Sequence, residues 1–167
     1  MIYQLPGIGE PLDQGDILEG CPTLSVTGYD VASRLPPQIN VALSRVLVLT
    51  QTCDLANQKA MSITLAVLLD AQALIDRGTL KAADVRGSIR AGRVFGWYFL
   101  PKSQDYGLPE MIVDLRQLHT AELDLLTALC QHGQRRARLL RPYREHLAKH
   151  FADTFSRIGL PEPFETD

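Results

Sequence analysis

Residues 45–55, RVLVLTQTCDL, constrain the fold more than any other stretch. The run 46–49 is unbroken and apolar, β-branched at alternate places, and too short for a convincing helix. Such a run reads as a strand covered on both faces. It then turns abruptly polar: Thr50, Gln51, Thr52, Cys53, Asp54. A buried strand that ends in hydroxyl, amide, thiol and carboxylate delivers those groups to the rim of a core, where ligands bind. The same residues also read as a plain turn, with Asp54 accepting backbone N–H bonds and Cys53 packing as a small hydrophobe.

The chain has 167 residues, enough for one domain with a proper core and too few for two comfortable ones. At 46% hydrophobic and 22% charged, its composition is that of a globular chain rather than a disordered one. No apolar stretch approaches the length of a membrane span. The start, MIYQLPGIGEPLDQGD, has neither the basic residues nor the apolar segment of a secretory signal. Cys21, Cys53 and Cys130 are scattered and odd in number. They read as free thiols in a reducing compartment, which points to the cytoplasm. With no Cys-x-x-Cys pair, no metal site of the structural zinc type is expected.

The net charge of −2 predicts no general affinity for nucleic acid, but the charge is unevenly distributed. Residues 1–33 hold Glu10, Asp13, Asp16, Glu19 and Asp30 and no Lys or Arg. Residues 134–150 hold Arg135, Arg136, Arg138, Arg141, Arg144 and Lys149 against Glu145 alone. The acidic start and the basic end can meet within the fold or between protomers. The basic segment can instead grip phosphates or form a solvated charged face.

Along the chain, residues 1–14 read as an irregular arm. A first strand opens at Gly15-Asp16-Ile17-Leu18, with 21–26 as its continuation or partner. Residues 28–44 hold Pro36-Pro37 and read as a long loop. The strand at 46–50 follows, then a polar loop at 57–59 and a second apolar strand at 61–69, antiparallel to the first across this short connection. Asp70 can cap a helix over 71–76 that Gly78 ends, and Val85 and Ile89 pattern a second helix over 81–90. Strands are expected at 94–100, ended by Pro101, and at 111–118. The Trp97/Tyr98/Phe99 trio reads either as a stacking platform for bases or as core. A helix after Thr120 ends at Gly133, and 137–140 reads as a last short strand. Pro142 then opens a final helix with an i, i+4 stripe at Tyr143, Leu147, Phe151 and Phe155, continued by Ile158. Gly159 and Pro161 stop it, leaving 162–167 loose.

His146, His150 and Asp153 share a helical face, and the spacing can bind a metal or simply face water. A Cys53–His pair would supply a nucleophile and base, but Asp54 beside Cys53 would raise the thiol pKa rather than lower it. There is no P-loop, no GxGxxG and no GxSxG, and no cofactor is expected.

Taken in series, these motifs resemble the PemK/MazF-like toxins, small SH3-like β-barrels of bacterial toxin–antitoxin systems. Gly15-Asp16-Ile17-Leu18 is similar to their opening GDI strand, and Arg45-Val46-Leu47-Val48-Leu49 to their RPVLV strand. Residues 63–69 are similar to the next barrel strand. Ile112-Val113-Asp114-Leu115-Arg116 with Leu118-His119-Thr120 is similar to the late strand and turn. The cysteine–aspartate strand end and the PYREHL helix resemble an offshoot of that family in bacteria. The resemblance covers about two thirds of the chain in short matches. It departs from the family pattern at Val46, which replaces a proline, and at Asp70, where a Ser or Thr is expected. The insertion at 71–91 is foreign to the smallest toxins.

The resemblance implies a mainly β, α+β fold in a single domain, 1–167. Barrel strands occupy 15–118 and a C-terminal amphipathic helix 142–159. As function it implies a toxin-like protein of a toxin–antitoxin or defence system that cleaves or binds RNA. Arg45, Thr50 and Asp54 would be catalytic, and Gln51, Cys53, Arg135, Arg138 and Arg141 would bind. Partners would be RNA, an antitoxin or other protein, and a second protomer in a homodimer. The alternative is a non-catalytic protein-interaction module in a multi-protein bacterial complex, and a hydrolase centred on Cys53 comes third.

Overall fold

The apolar run 46–49 is extended, as its composition dictates, and most of it belongs to a strand much longer than the run itself. The computed structural model describes residues 1–156 other than Arg34, Gln58 and Met61. Within them the elements are β1 (Tyr3–Gln4), β2 (Asp16–Thr27), β3 (Gln38–Val48), α1 (Thr52–Ala56), β4 (Ile63–Asp70), α2 (Ala71–Asp76) and α3 (Ala82–Asp84), which continues as a π turn (Val85–Ile89). Then come β5 (Trp97–Leu100), β6 (Met111–Ala121), α4 (Leu123–Gln131), β7 (Arg135–Leu139) and α5 (Tyr143–Phe155). The fold is mainly β with helices.

The strands form one antiparallel sheet in the order β1-β7-β2-β3-β4-β6-β5. β3 is interior over 46–48: Leu47 faces Ile17 of β2 on one side and Ala66 of β4 on the other. The sheet is not closed. β1 and β5 are its two edges and share no ladder. β1 is only two residues long and spends its pairing on β7. The edges nevertheless approach through side chains, because Tyr3 of β1 packs in one cluster with Tyr98 and Leu100 of β5. The Tyr3 hydroxyl also donates to the carbonyl of Pro101 at 2.8 Å. The sheet therefore curls without completing the small closed barrel that the toxin resemblance implies.

The two-residue period of a strand divides the core. Leu47 and Leu49 point to the inner cluster, with Ile17, Leu68, Val113, Leu139 and Leu147 of α5. Val46 and Val48 point the other way, with Leu18, Cys21, Ile63 and Leu65, under Leu126 and Cys130 of α4. Both faces are covered, which is why the run carries no polar alternation. A third cluster seats Ala71 and Leu74 of α2 and Val85 and Ile89 of the π turn on Trp97 and Ile112. Asp70 caps α2 by accepting from the Ala73 N–H at 2.9 Å.

Three local expectations change. The loop expected over 28–44 is irregular only up to Pro37, and β3 begins at Gln38. The prolines bound the strand without excluding it. Residues 52–56 form α1 rather than a turn. The buried face of α5 is Arg144, Leu147 and His150, while Tyr143 and Phe155 are largely exposed. That face is displaced from the apolar stripe because Arg144 is drawn in by Asp13 and His150 by Phe95 and Tyr98. In the aromatic trio, Trp97 and Tyr98 are buried and Phe99 is half-buried. The Arg116 guanidinium lies 3.8 Å above the Trp97 ring while bonded to the buried Asp114. The expected helix continuation at Ile158, its stop at Gly159 and Pro161, and the tail lie outside the described residues.

Candidate functional site

Thr50, Gln51 and Asp54 stand at the rim expected of them, where β3 gives way to α1. They line an open cleft of about 380 Å³ with Ser62, Thr64 and Phe151. The Thr50 hydroxyl accepts from the Thr64 N–H at 2.8 Å and so ties the rim to β4. Asp54 lies in the first turn of α1, where a carboxylate complements the helix N-terminus. Cys53 is exposed, its Sγ 3.6 Å from Gln51 Oε1 and 3.8 Å from Asp54 Oδ1.

Arg45 does not join them. It precedes Thr50 by five positions, roughly 16 Å along an extended strand. Its Nε and Nη2 both meet Glu19 Oε1 at 2.5 Å, and its Nη1 meets Met111 Sδ at 3.3 Å. A guanidinium so engaged is already neutralised, and it sits at the opposite end of the covered part of β3.

The acidic start and the basic end meet inside the fold. Asp16 is wholly buried. Its carboxylate accepts from Arg138 Nε at 2.6 Å and Nη2 at 2.9 Å, from Arg135 Nη1 at 3.2 Å and from the Asp13 N–H at 3.0 Å. The remaining guanidinium hydrogens hold the arm. Arg135 Nη2 donates to the Gly7 and Glu10 carbonyls at 2.7 and 3.0 Å, and Arg138 Nη2 donates to the Pro11 carbonyl at 2.7 Å. The arm lacks a ladder over 7–11, and these bonds tie its backbone to the body, the Gly7 carbonyl accepting from the Glu10 N–H at 3.0 Å as well. Burial alone would lower the Arg138 pKa, but the Asp16 hydrogen bond and charge outweigh it and the net shift is upward. Gly15 (φ +86°) sets the turn into Asp16, and a Cβ there would stand 3.1 Å from Leu139 Cβ. Arg144 joins Asp13 at 2.8 Å. Of the three arginines expected to bind, Arg135 and Arg138 are interior and Arg141 is exposed, paired with Glu145 at 2.9 Å.

The feature that sequence reasoning missed is the distal half of β2 and β3. β7 pairs with β2 only over 16–18 and β4 with β3 only over 46–48. Beyond these limits the two strands continue together as a two-stranded ribbon with both edges open. Its two faces differ in chemistry. Thr23 faces Ala42, Ser25 faces Asn40 and Thr27 faces Gln38 on one side. That side is laced by Thr23 Oγ1–Ser44 Oγ at 2.8 Å and Asn40 Nδ2–Thr27 Oγ1 at 2.9 Å. On the other side Pro22 faces Leu43, Leu24 faces Val41 and Val26 faces Ile39. Leu24, Val26, Ile39, Val41 and Leu43 are 59–76% exposed. The strand period places Ile39, Val41 and Leu43 on the same side of β3 as Leu47 and Leu49. The inner core face thus runs out past the Arg45–Glu19 pair onto a surface that nothing among the described residues covers. The signal was present in the sequence: Leu24/Val26 and Ile39/Val41/Leu43 alternate with polar or small residues on either side of a proline-bearing loop.

Of the histidine face on α5, His146 Nδ1 is 3.1 Å from the Tyr98 hydroxyl and Asp153 pairs with Lys149. Among the described residues no cluster of three metal-ligating side chains is present, and no helix is long and apolar enough to cross a membrane. Burial pushes the Cys21 and Cys130 thiols up, so neither is poised as a thiolate. Comparison with protein-family models and with curated proteins gives no match.

Proposed function

We propose that this chain is a non-catalytic protein-interaction module in a multi-protein bacterial complex, docking through its β-ribbon. The curled sheet, an opened counterpart of the toxin-like barrel, is the rigid body from which the ribbon projects. One observation carries the reading: five large aliphatic side chains on one ribbon face lie open to solvent. Together they offer on the order of 600 Å² of apolar surface, at the upper end of what a monomer ordinarily leaves bare. No Lys or Arg lies within 22–27 or 38–44, so the ribbon's two strands have nothing with which to neutralise phosphate. An uncharged apolar face suits a protein surface.

The test is assembly size. In extract of the bacterium that encodes it, the wild-type chain is expected to migrate in a complex larger than the isolated chain. A Leu24→Glu, Val41→Glu double variant, which sets like charges side by side on the apolar face, is expected to fall to the size of the isolated chain. Unchanged migration of the variant would overturn the reading.

The RNA-cleaving toxin is the second reading, and the Thr50–Asp54 cleft favours it. It requires the purified chain to cut RNA and Arg45→Ala to stop the cutting. The Arg45–Glu19 pair and the separation of Arg45 from the rim support the opposite outcome, no cleavage by either protein.

A further inference from the structure

The apolar ribbon face narrows the choice of partner. It carries no charged group and, on the side chains of its three cross-strand pairs, no hydrogen-bonding group. A surface of this kind meets its own copy without like-charge repulsion and without stranding a buried donor. It is also close to symmetric about its middle pair, Leu24–Val41, with Val26–Ile39 on one side and Pro22–Leu43 on the other. We infer that this face is an interface between two copies of the chain, stacked ribbon on ribbon about a two-fold axis near Leu24 and Val41. The inference rests on the reading of the ribbon as an interaction surface and names its occupant.

The area fits. The five strand side chains are joined at the ribbon tip by Tyr29, Val31 and Leu35, which are 55–74% exposed. The five strand side chains alone offer roughly 600 Å² per copy, which approaches the roughly 800 Å² per partner of a stable interface. Two stacked ribbons form a two-layer sheet packing at about 10 Å. That packing removes the main difficulty with the free ribbon, since an isolated two-stranded hairpin is marginal in water. The contact is isologous, so a residue near the axis meets its own copy.

That geometry sets the experiment. The wild type is expected to sediment as a dimer at micromolar concentration. Val41→Glu and Val41→Lys are each expected to sediment as monomers, because each brings like charges together at the axis. An equimolar mixture of the two is expected to recover the dimer mass at low salt and to lose it as salt is added. Ser25→Glu, on the opposite ribbon face, is expected to remain dimeric. The near-ultraviolet signal of the buried Trp97 is expected to be unchanged in every variant, which separates dissociation from misfolding. A monomeric wild type, or a Val41→Glu dimer as stable as the wild type, would overturn the inference. In either case, if the assembly in cell extract still depends on the ribbon, the module reading stands with a different partner. If the assembly is independent of the ribbon too, both fall.

Discussion

Asp16 and Arg138 face each other across the β2–β7 ladder and are joined by two hydrogen bonds of 2.6 and 2.9 Å. The carboxylate is inaccessible to solvent and also holds Arg135. One buried anion thus anchors two cations, and those two cations anchor the arm. Removing a member of such a group leaves charge buried without compensation, which costs about 3–5 kcal/mol. Asp16→Asn is therefore expected to lower unfolding free energy by that amount in urea. It should also open residues 7–11 to protease before the body unfolds, because Arg135 and Arg138 lose what orients them toward the Gly7, Glu10 and Pro11 carbonyls. Equal protection of the arm in wild type and variant would show that the carbonyl contacts stand without Asp16.

This cluster also marks how far the sequence could be read. The charge asymmetry between residues 1–33 and 134–150 was visible, and contact within the fold was one of the outcomes it allowed. Ion pairing of Asp16 with two residues about 120 positions away depends on β7 lying beside β2, which no local pattern encodes. Local physics did carry other elements. The run 46–49 had to be a doubly covered strand, and Asp70 had to cap α2. At 38–44 the period-2 alternation competes with the Pro36-Pro37 signal for a loop, and in the fold the prolines only bound the strand. Closure of the sheet was not legible at all, since whether β1 reaches β5 depends on the curl of the whole sheet. At the candidate site, the rim at Thr50–Asp54 was legible as the end of a strand. The ribbon was not, because its apolar residues look like core until the extent of β4 and β7 is known.

Leu47 and Leu43 lie on the same side of β3, four residues apart, yet one is fully buried and the other largely exposed. Their truncation should therefore behave differently. Leu47→Ala empties a site in the inner core and is expected to cost about 2–5 kcal/mol. Leu43→Ala is expected to stay within about 0.5 kcal/mol of wild type, measured by urea denaturation at a concentration low enough to keep the chain monomeric. A large cost for Leu43→Ala in the monomer would show that the ribbon folds back on the body.

Tyr98 is buried, and burial first, then the nearby Tyr143, pushes its phenol from 10.0 up to about 12. Tyr3 shifts in the same direction, through burial and then through Tyr98. Between about pH 10 and 12 the unfolded chain releases the Tyr98 proton while the folded chain keeps it. Stability is thus fully present below pH 10 and falls as pH rises through this window, by roughly 2–3 kcal/mol for a two-unit shift. Tyr98→Phe is expected to flatten that fall. Absorbance titration should show Tyr3 and Tyr98 ionising only as the chain unfolds. Ionisation of Tyr3 and Tyr98 near pH 10 with the fold intact would contradict the burial of both rings.

His150 is buried on the inner face of α5, and its Nε2 has no hydrogen-bond partner among the described residues. The ring is instead held by aromatic contacts: Phe95 stacks on it at 6.1 Å with a 16° interplanar angle, and Tyr98 meets it edge-on at 5.5 Å. An unsatisfied buried polar atom costs about 1–3 kcal/mol, and a phenyl ring keeps the stacking without that cost. The added bulk works against the gain, since overpacking a core costs about as much. The missing hydrogen bond is the larger effect here, because Phe95 and Tyr98 already accommodate an aromatic ring at this position. His150→Phe is accordingly expected to raise the unfolding free energy by about 1 kcal/mol, and His150→Ala to lower it through the lost ring contacts. If His150→Phe instead destabilises the chain by more than about 1 kcal/mol, the imidazole nitrogen contributes a polar contact that the aromatic packing does not replace.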